Sequence, residues 1–124
     1  NSPEECIGSN DVDNCAGDVR REKITGEDLT NVVDVPISDS INHRLELLVT
    51  HLNQQGFTFP VSVFKDASPN WSELLIGGHS QGSGHALYIT KFCGRNNPQP
   101  IGVLATDPLA CQCRIRFKCQ GPIF

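Results

Sequence analysis

The sequence from position 74 to position 92 is LLIGGHSQGSGHALYITKF, and it contains three local patterns in succession. Leu74–Ile76 is an apolar run without polar alternation, which is typical of a buried strand in a parallel sheet. Gly77–Gly82 predicts a sharp turn, and Ser83–Phe92 predicts a helix with small residues in its first turns. A second apolar strand is predicted at Ile101–Ala105. Strand, helix and strand then form one βαβ unit with parallel strands, and the fold class is α/β.

Length and charge limit what the rest of the chain can be. With 124 residues, of which 38% are hydrophobic, we expect a single domain with a loop-rich segment 1–38, a core 39–109 and a basic, cysteine-rich tail 110–124. No apolar run reaches the roughly 18 residues of a membrane span, so we expect no membrane-spanning segment. The net charge of −4 argues against nucleic acid as a partner. The oligomeric state stays open.

Outside the βαβ unit the sequence predicts one strong helix and one strand. Apolar residues at helical spacing indicate a helix over Asp39–Gln55. Ser38 or Asp39 is the predicted N-cap, and Gly56 is the predicted stop. Its apolar stripe consists of Ile41, Leu45, Leu48 and Leu52. Before it, we expect an irregular cysteine-containing N-terminus with a helical turn at Asp18–Lys23. Cys111–Cys119 alternates apolar and polar residues, as an exposed C-terminal edge strand does.

Six cysteines in a chain of this length indicate an oxidising compartment, so we expect a secreted or extracytoplasmic protein. The sequence does not select among the disulfide pairings, although a local Cys6–Cys15 bridge would hold the N-terminal segment. Zinc binding through Cys111, Cys113, Cys119 and a histidine is disfavoured because the spacing differs from that of common zinc fingers. The cysteines and the basic tail also support an alternative function, a small secreted disulfide-stapled binding module without catalysis.

Gly78-His79-Ser80-Gln81-Gly82 matches the pattern G-x-S-x-G, in which a serine at a tight strand-to-helix turn exposes its hydroxyl above the sheet edge. Glycines two positions before and after the serine let the strand and the helix approach. The following helix directs N–H groups at the corner, and the Gln81 N–H is placed to donate to an oxyanion. In the competing interpretation, Ser80 caps a helix of an ordinary α/β protein. The apolar strand before the motif and the small residues after it favour the elbow.

Ser68–Ala86, with the sequence SPNWSELLIGGHSQGSGHA, resembles the nucleophile-elbow region of the α/β-hydrolase family. Asp18–Asp28 and Ser40–Leu45 are similar to segments that precede the elbow in a serine-hydrolase-like group of that family. The resemblance implies a partial α/β-hydrolase fold, with Ser80 as nucleophile and the Gln81 backbone N–H in the oxyanion hole. It also implies hydrolysis of a small-molecule, ester-like substrate through an acyl-Ser80 intermediate, without a cofactor or metal.

In that family an acid and a histidine base follow the serine along the chain. Asp107, which ends the second predicted strand, is a candidate acid, and an Asp-Pro turn is the competing interpretation. None of the four histidines follows Asp107. We expect His79 to point away from Ser80 and His85 to lie too far along the helix to act as the base. His43 and His51 lie on the predicted helix before the elbow and are expected to be solvated. We therefore expect a truncated serine hydrolase that is weakly active or inactive.

Overall fold

The computed structural model describes Cys6 and residues 12–65, 68–92, 100 and 102–105 of the chain. In these ranges the helices are α1 Val12–Thr25, α2 Ile41–Gln54 and α3 Gln81–Phe92. The strands are β1 Phe64–Lys65, β2 Ser68–Pro69, β3 Leu75–Gly78 and β4 Gly102–Ala105. Short 3-10 turns lie at Ile37–Asp39, Val61–Val63 and Trp71–Glu73. None of the described helices is both long enough and apolar enough to cross a bilayer.

β3, α3 and β4 form the βαβ unit that the sequence predicts. The two strands pair parallel, with Leu75 opposite Gly102, and α3 packs against both of them. The antiparallel pair of β1 and β2 is a separate two-residue hairpin. α3 begins two residues before the predicted start, because only His79 and Ser80 separate it from β3. The described part of the chain is thus a small mixed helix and sheet protein with a two-stranded parallel sheet at the predicted place.

The parallel sheet is covered on one face among the described residues. Successive side chains of a strand point to opposite faces, and Ile76 packs on the core cluster. That cluster consists of Ile24, Trp71 and Ile89, with Ile41, Leu45, Leu74 and Tyr88 around it. On the other face Leu75 is 73% exposed and Leu104 is 54% exposed. The prediction of a fully buried strand is therefore wrong, because the described helices contribute their apolar residues to the Ile76 side.

The N-terminal segment is more helical than the sequence predicts. A loop with one helical turn at Asp18–Lys23 is expected, whereas α1 runs over 14 residues. The apolar residues buried along it are Ala16, Val19 and Ile24. Glu22 occupies a buried position among them, so its charge interrupts the apolar pattern that would have indicated the helix. The predicted disulfide between Cys6 and Cys15 is confirmed, and it fastens the first turn of α1.

Glu22 is buried because it holds the loop that follows α1. Its side-chain carboxylate accepts backbone hydrogen bonds from Leu29 at 3.2 Å, from Thr30 at 3.0 Å and from Val35 at 3.2 Å. Burial raises the pKa of this carboxyl, but the three N–H donors outweigh burial and hold the pKa below its ordinary value. A single ionised side chain thus satisfies three backbone donors of the segment between α1 and α2.

α2 begins later than predicted and has a different cap. Ile37–Asp39 forms a 3-10 turn, and the buried hydroxyl of Ser40 accepts the His43 N–H at 3.2 Å, so Ser40 is the N-cap rather than Ser38 or Asp39. The predicted stop is confirmed, because Gly56 follows the C-cap with a φ of +93°. The apolar stripe is only partly covered, since Leu48 is 52% exposed.

Candidate active site

Ser80 forms the corner between the strand and the helix. Its φ is +53°, and it is the sole non-glycine residue with a positive φ in the part of the chain that the structure describes. An L-residue in this left-handed region is strained by about 1–2 kcal/mol. The side chain is exposed, directly after β3 and directly before α3. Local sequence therefore places a serine hydroxyl on a strained, solvent-accessible corner at the carboxyl end of a parallel strand, where open α/β sheets place their sites.

The two glycines of the motif have different roles. A Cβ at Gly78 would overlap the carbonyl group of Gly82 and would lie 2.5 Å from the backbone nitrogen of Ser83. A Cβ at Gly82 would meet nothing within 4 Å. The prediction that both glycines allow the close approach is thus correct for Gly78, while Gly82 contributes its backbone as the surface against which Gly78 packs.

The backbone N–H groups in the first turn of α3 bond to the carbonyls of the corner residues. Gln81 is the first residue of the helix, and its N–H precedes the first intrahelical hydrogen bond. The Gly82 N–H donates to the His79 carbonyl at 2.9 Å, and the Ser83 N–H donates to the Ser80 carbonyl at 3.1 Å. The Ser83 hydroxyl donates to the same Ser80 carbonyl at 2.6 Å. Ser80 and Gln81 therefore lie side by side at the start of α3, and the role of the Gln81 N–H as an oxyanion donor stays a prediction.

The four histidines of the chain lie on α2, at the corner itself and on α3. His43 and His51 lie on α2, where the His43 ring is 3.5 Å from the Glu46 carboxylate and His51 is exposed. His79 precedes Ser80 in the backbone and is exposed as well. A serine nucleophile requires a general base, and His79 is the histidine nearest to Ser80 along the chain.

His85 faces away from the corner, towards α1. Its Nδ1 atom is buried without a hydrogen-bond partner. Burial, together with the positive charges of Lys23 and Arg20, lowers the pKa of this imidazole to about 4. His85 is therefore neutral at pH 7, and its ring belongs to the contact between α1 and α3.

Several predicted features lie outside the described residues. These are the candidate acid Asp107, the predicted tail strand Cys111–Cys119 and its zinc alternative. Within the described ranges no cluster of His, Cys, Asp or Glu could hold a metal ion.

The sequence Asn70-Trp71-Ser72, which matches the N-glycosylation acceptor pattern, is used internally. The Asn70 side chain donates to the Ser62 carbonyl at 2.8 Å and accepts from the Ser72 hydroxyl at 2.7 Å. The Asn70 backbone N–H donates to the Val63 carbonyl at 2.7 Å, so this residue connects two successive 3-10 turns.

Composition and periodicity predict no role for two residues that shape the site region. Ser83 is fully buried and binds the Ser80 carbonyl, yet in the sequence it resembles any other small residue at the start of a tightly packed helix. Glu22 reads as one charge among many in an acidic segment, although it organises the loop after α1. An i, i+3 serine that can bond back to a strained carbonyl is the local rule that could have identified Ser83.

Comparison of the chain with protein-family models, with curated proteins and with solved structures gave no match.

Proposed function

We propose that Ser80 is the nucleophile of an acyl transfer from a small-molecule, ester-like substrate. The observation that carries the proposal is the left-handed Ser80, exposed between a parallel strand and the first turn of a helix. A strained residue at an exposed corner is retained where the surrounding structure enforces it, and such positions cluster at active sites. Gly78 supports the same conclusion, because the absence of a side chain there lets the strand and the helix meet in this tight corner.

The proposed chemistry uses two groups of this chain. The Ser80 oxygen attacks the ester carbonyl carbon, the carbonyl electrons move to its oxygen, and the Gln81 N–H donates to the resulting oxyanion. Collapse of this intermediate breaks the bond to the alcohol, which leaves with the proton released by Ser80 and carried by water. Water then hydrolyses the acyl-Ser80 ester to give the carboxylic acid and the free hydroxyl.

We expect the chain to be only weakly active, because none of its four histidines follows Asp107, where the order serine, acid, histidine would place the base. A positioned general base contributes typically about 10²–10⁴-fold to such a reaction. Without it, the hydroxyl proton passes to hydroxide or buffer. The rate of acylation then rises steadily with pH from about pH 6 to about pH 9, without the inflection that an imidazole base produces.

The test follows p-nitrophenyl butyrate hydrolysis together with the intact mass of the protein. We expect slow release of p-nitrophenol, a butyryl group on Ser80, and loss of both in Ser80→Ala. Ser38→Ala is the matched control, since Ser38 is another exposed serine in a short turn. Identical kinetics and identical adducts in the wild type and Ser80→Ala would refute the proposal. Fast turnover with a plateau near pH 7 would refute the expected low activity.

A disulfide-stapled binding module without catalysis is the second candidate, and the Cys6–Cys15 bridge is the observation that favours it. The same bridge supports our proposal that the protein works in a secreted or extracytoplasmic compartment. Intact mass with and without reductant separates the candidates. Three closed disulfides with a melting temperature that falls sharply on reduction favour the stapled module, and mostly free thiols at the other cysteines favour the hydrolase.

A further inference from the structure

We propose that Ser83 is a positioning residue, whose hydroxyl fixes the Ser80–Gln81 peptide so that the Gln81 N–H points at the reacting carbonyl. This inference rests on the function proposed for Ser80. It adds a residue that lies outside the G-x-S-x-G pattern, and it assigns a physical task to a hydroxyl that is buried and cannot reach the substrate.

The environment of Ser83 gives its hydroxyl one clear role. The residue has an exposed fraction of 0%, so its polar side chain needs a partner inside the protein. Its Oγ donates to the Ser80 carbonyl at 2.6 Å, and its own backbone N–H donates to the same oxygen at 3.1 Å. The carbonyl of the strained residue therefore receives two hydrogen bonds from a single residue.

Fixing this carbonyl also fixes the oxyanion donor. The Ser80 carbonyl and the Gln81 N–H belong to one planar trans peptide, in which the two groups point in opposite directions. Because Ser83 holds the carbonyl towards the interior of α3, the N–H is directed outward beside the exposed Ser80 hydroxyl. A residue with a φ of +53° is intrinsically strained, so this peptide rotates more readily when one of the two hydrogen bonds is removed.

The first experiment measures the peptide and not the reaction. In Ser83→Ala we expect the Gln81 amide to shift in the ¹H–¹⁵N spectrum and to exchange with solvent faster. The matched control is Thr90→Val, which removes another hydroxyl that donates to a carbonyl of α3, at 2.9 Å, but lies away from the corner. A Gln81 amide that moves no more in Ser83→Ala than in Thr90→Val overturns the positioning role.

The second experiment measures acylation of Ser80 by p-nitrophenyl butyrate. We expect Ser83→Ala to lower the limiting acylation rate about tenfold, with little change in the ester concentration that gives half of that rate. This is a fraction of the effect of deleting an oxyanion donor. Ser83→Thr, which keeps the hydroxyl, restores the rate, and Thr90→Val leaves it unchanged. Ser83→Cys keeps the size and weakens the donor, so it takes the place of Ser83→Ala if that variant does not fold.

The two readouts separate the possible failures. If the wild-type chain is not acylated at Ser80, the proposed function is wrong, and the amide measurement still decides the role of Ser83. If the wild type is acylated and Ser83→Ala reacts at the same rate, the positioning role is wrong and the proposed function stands.

Discussion

Replacing Gly78 by alanine should destabilise the protein, whereas the same change at Gly82 should not, although both glycines belong to the same motif. The new methyl group at position 78 would overlap the Gly82 carbonyl and come within 2.5 Å of the Ser83 nitrogen. These are backbone atoms of the first turn of α3, so they cannot move aside as the end of a flexible side chain can. Overpacking of this kind destabilises a protein by about 1–3 kcal/mol. Part of the strain is relieved when the backbone at Ser80 moves and the corner opens.

The expected shift in stability follows from that range. For a chain of this size about 1 kcal/mol corresponds to roughly 4 °C in melting temperature, so Gly78→Ala should melt about 4–12 °C below the wild type. Gly82 has room for a methyl group, lies in the first turn of α3 and does not have a positive φ. Gly82→Ala should therefore be neutral or stabilise by up to about 0.5 kcal/mol through the reduced entropy of the unfolded chain.

The assay combines thermal and urea unfolding, both followed by circular dichroism, with acylation by p-nitrophenyl butyrate. Gly78→Ala should lose stability and Ser80 acylation together, whereas Gly82→Ala should keep both. Equal effects of the two substitutions, or a Gly78→Ala variant within about 0.5 kcal/mol of the wild type, would refute the packing argument for the corner.

Three further predictions concern the elements that hold the fold. Glu22→Gln should lower the urea midpoint at pH 7, because the ionised carboxylate binds three backbone donors, whereas Glu73→Gln at an exposed position should not. Since the pKa of Glu22 is lowered in the folded protein, its contribution to stability is present above the ordinary value of 4.5 and is lost as the pH falls through the folded pKa. A loss of stability in Glu22→Gln that does not change with pH would contradict this. His85 should titrate by NMR with a pKa of about 4. Because the unfolded chain binds the proton at higher pH than the folded protein does, stability should fall as the pH drops from 6.5 towards 4. A native pKa near 6.5 would show that the ring is solvated. Cys15→Ser should remove about 2.5 kcal/mol by opening the Cys6–Cys15 loop, measured by urea unfolding, and an unchanged midpoint would contradict a stabilising bridge.

The βαβ unit and its corner are predictable because their signals are local. An apolar run, a glycine pair and a serine, followed by small residues, occur within one continuous stretch of the chain and specify strand, turn and helix without reference to the rest of the fold. The sequence also indicates the Cys6–Cys15 bridge, because its short separation makes it a local feature. The exact N-cap of α2 is missed by one residue beyond Asp39, since a 3-10 turn before a helix carries the same polar residues as a cap.

The remaining features depend on contacts between distant segments. α1 is hidden because Glu22 takes a core position that only the loop around Leu29–Val35 makes favourable. The open face at Leu75 is invisible in the sequence, because an apolar run looks the same whether one face or both are covered. The role of Ser83 depends on the direction of one carbonyl, which no composition or periodicity encodes.

The nucleophilicity of Ser80 is tested most directly by labelling with a fluorophosphonate, a reagent that phosphonylates nucleophilic serines, followed by peptide mapping. We expect one slowly formed phosphonyl adduct on the peptide that contains Ser80, present in Ser38→Ala and absent in Ser80→Ala. Labelling that is spread over other serines, or that persists unchanged in Ser80→Ala, would contradict a nucleophile at this corner.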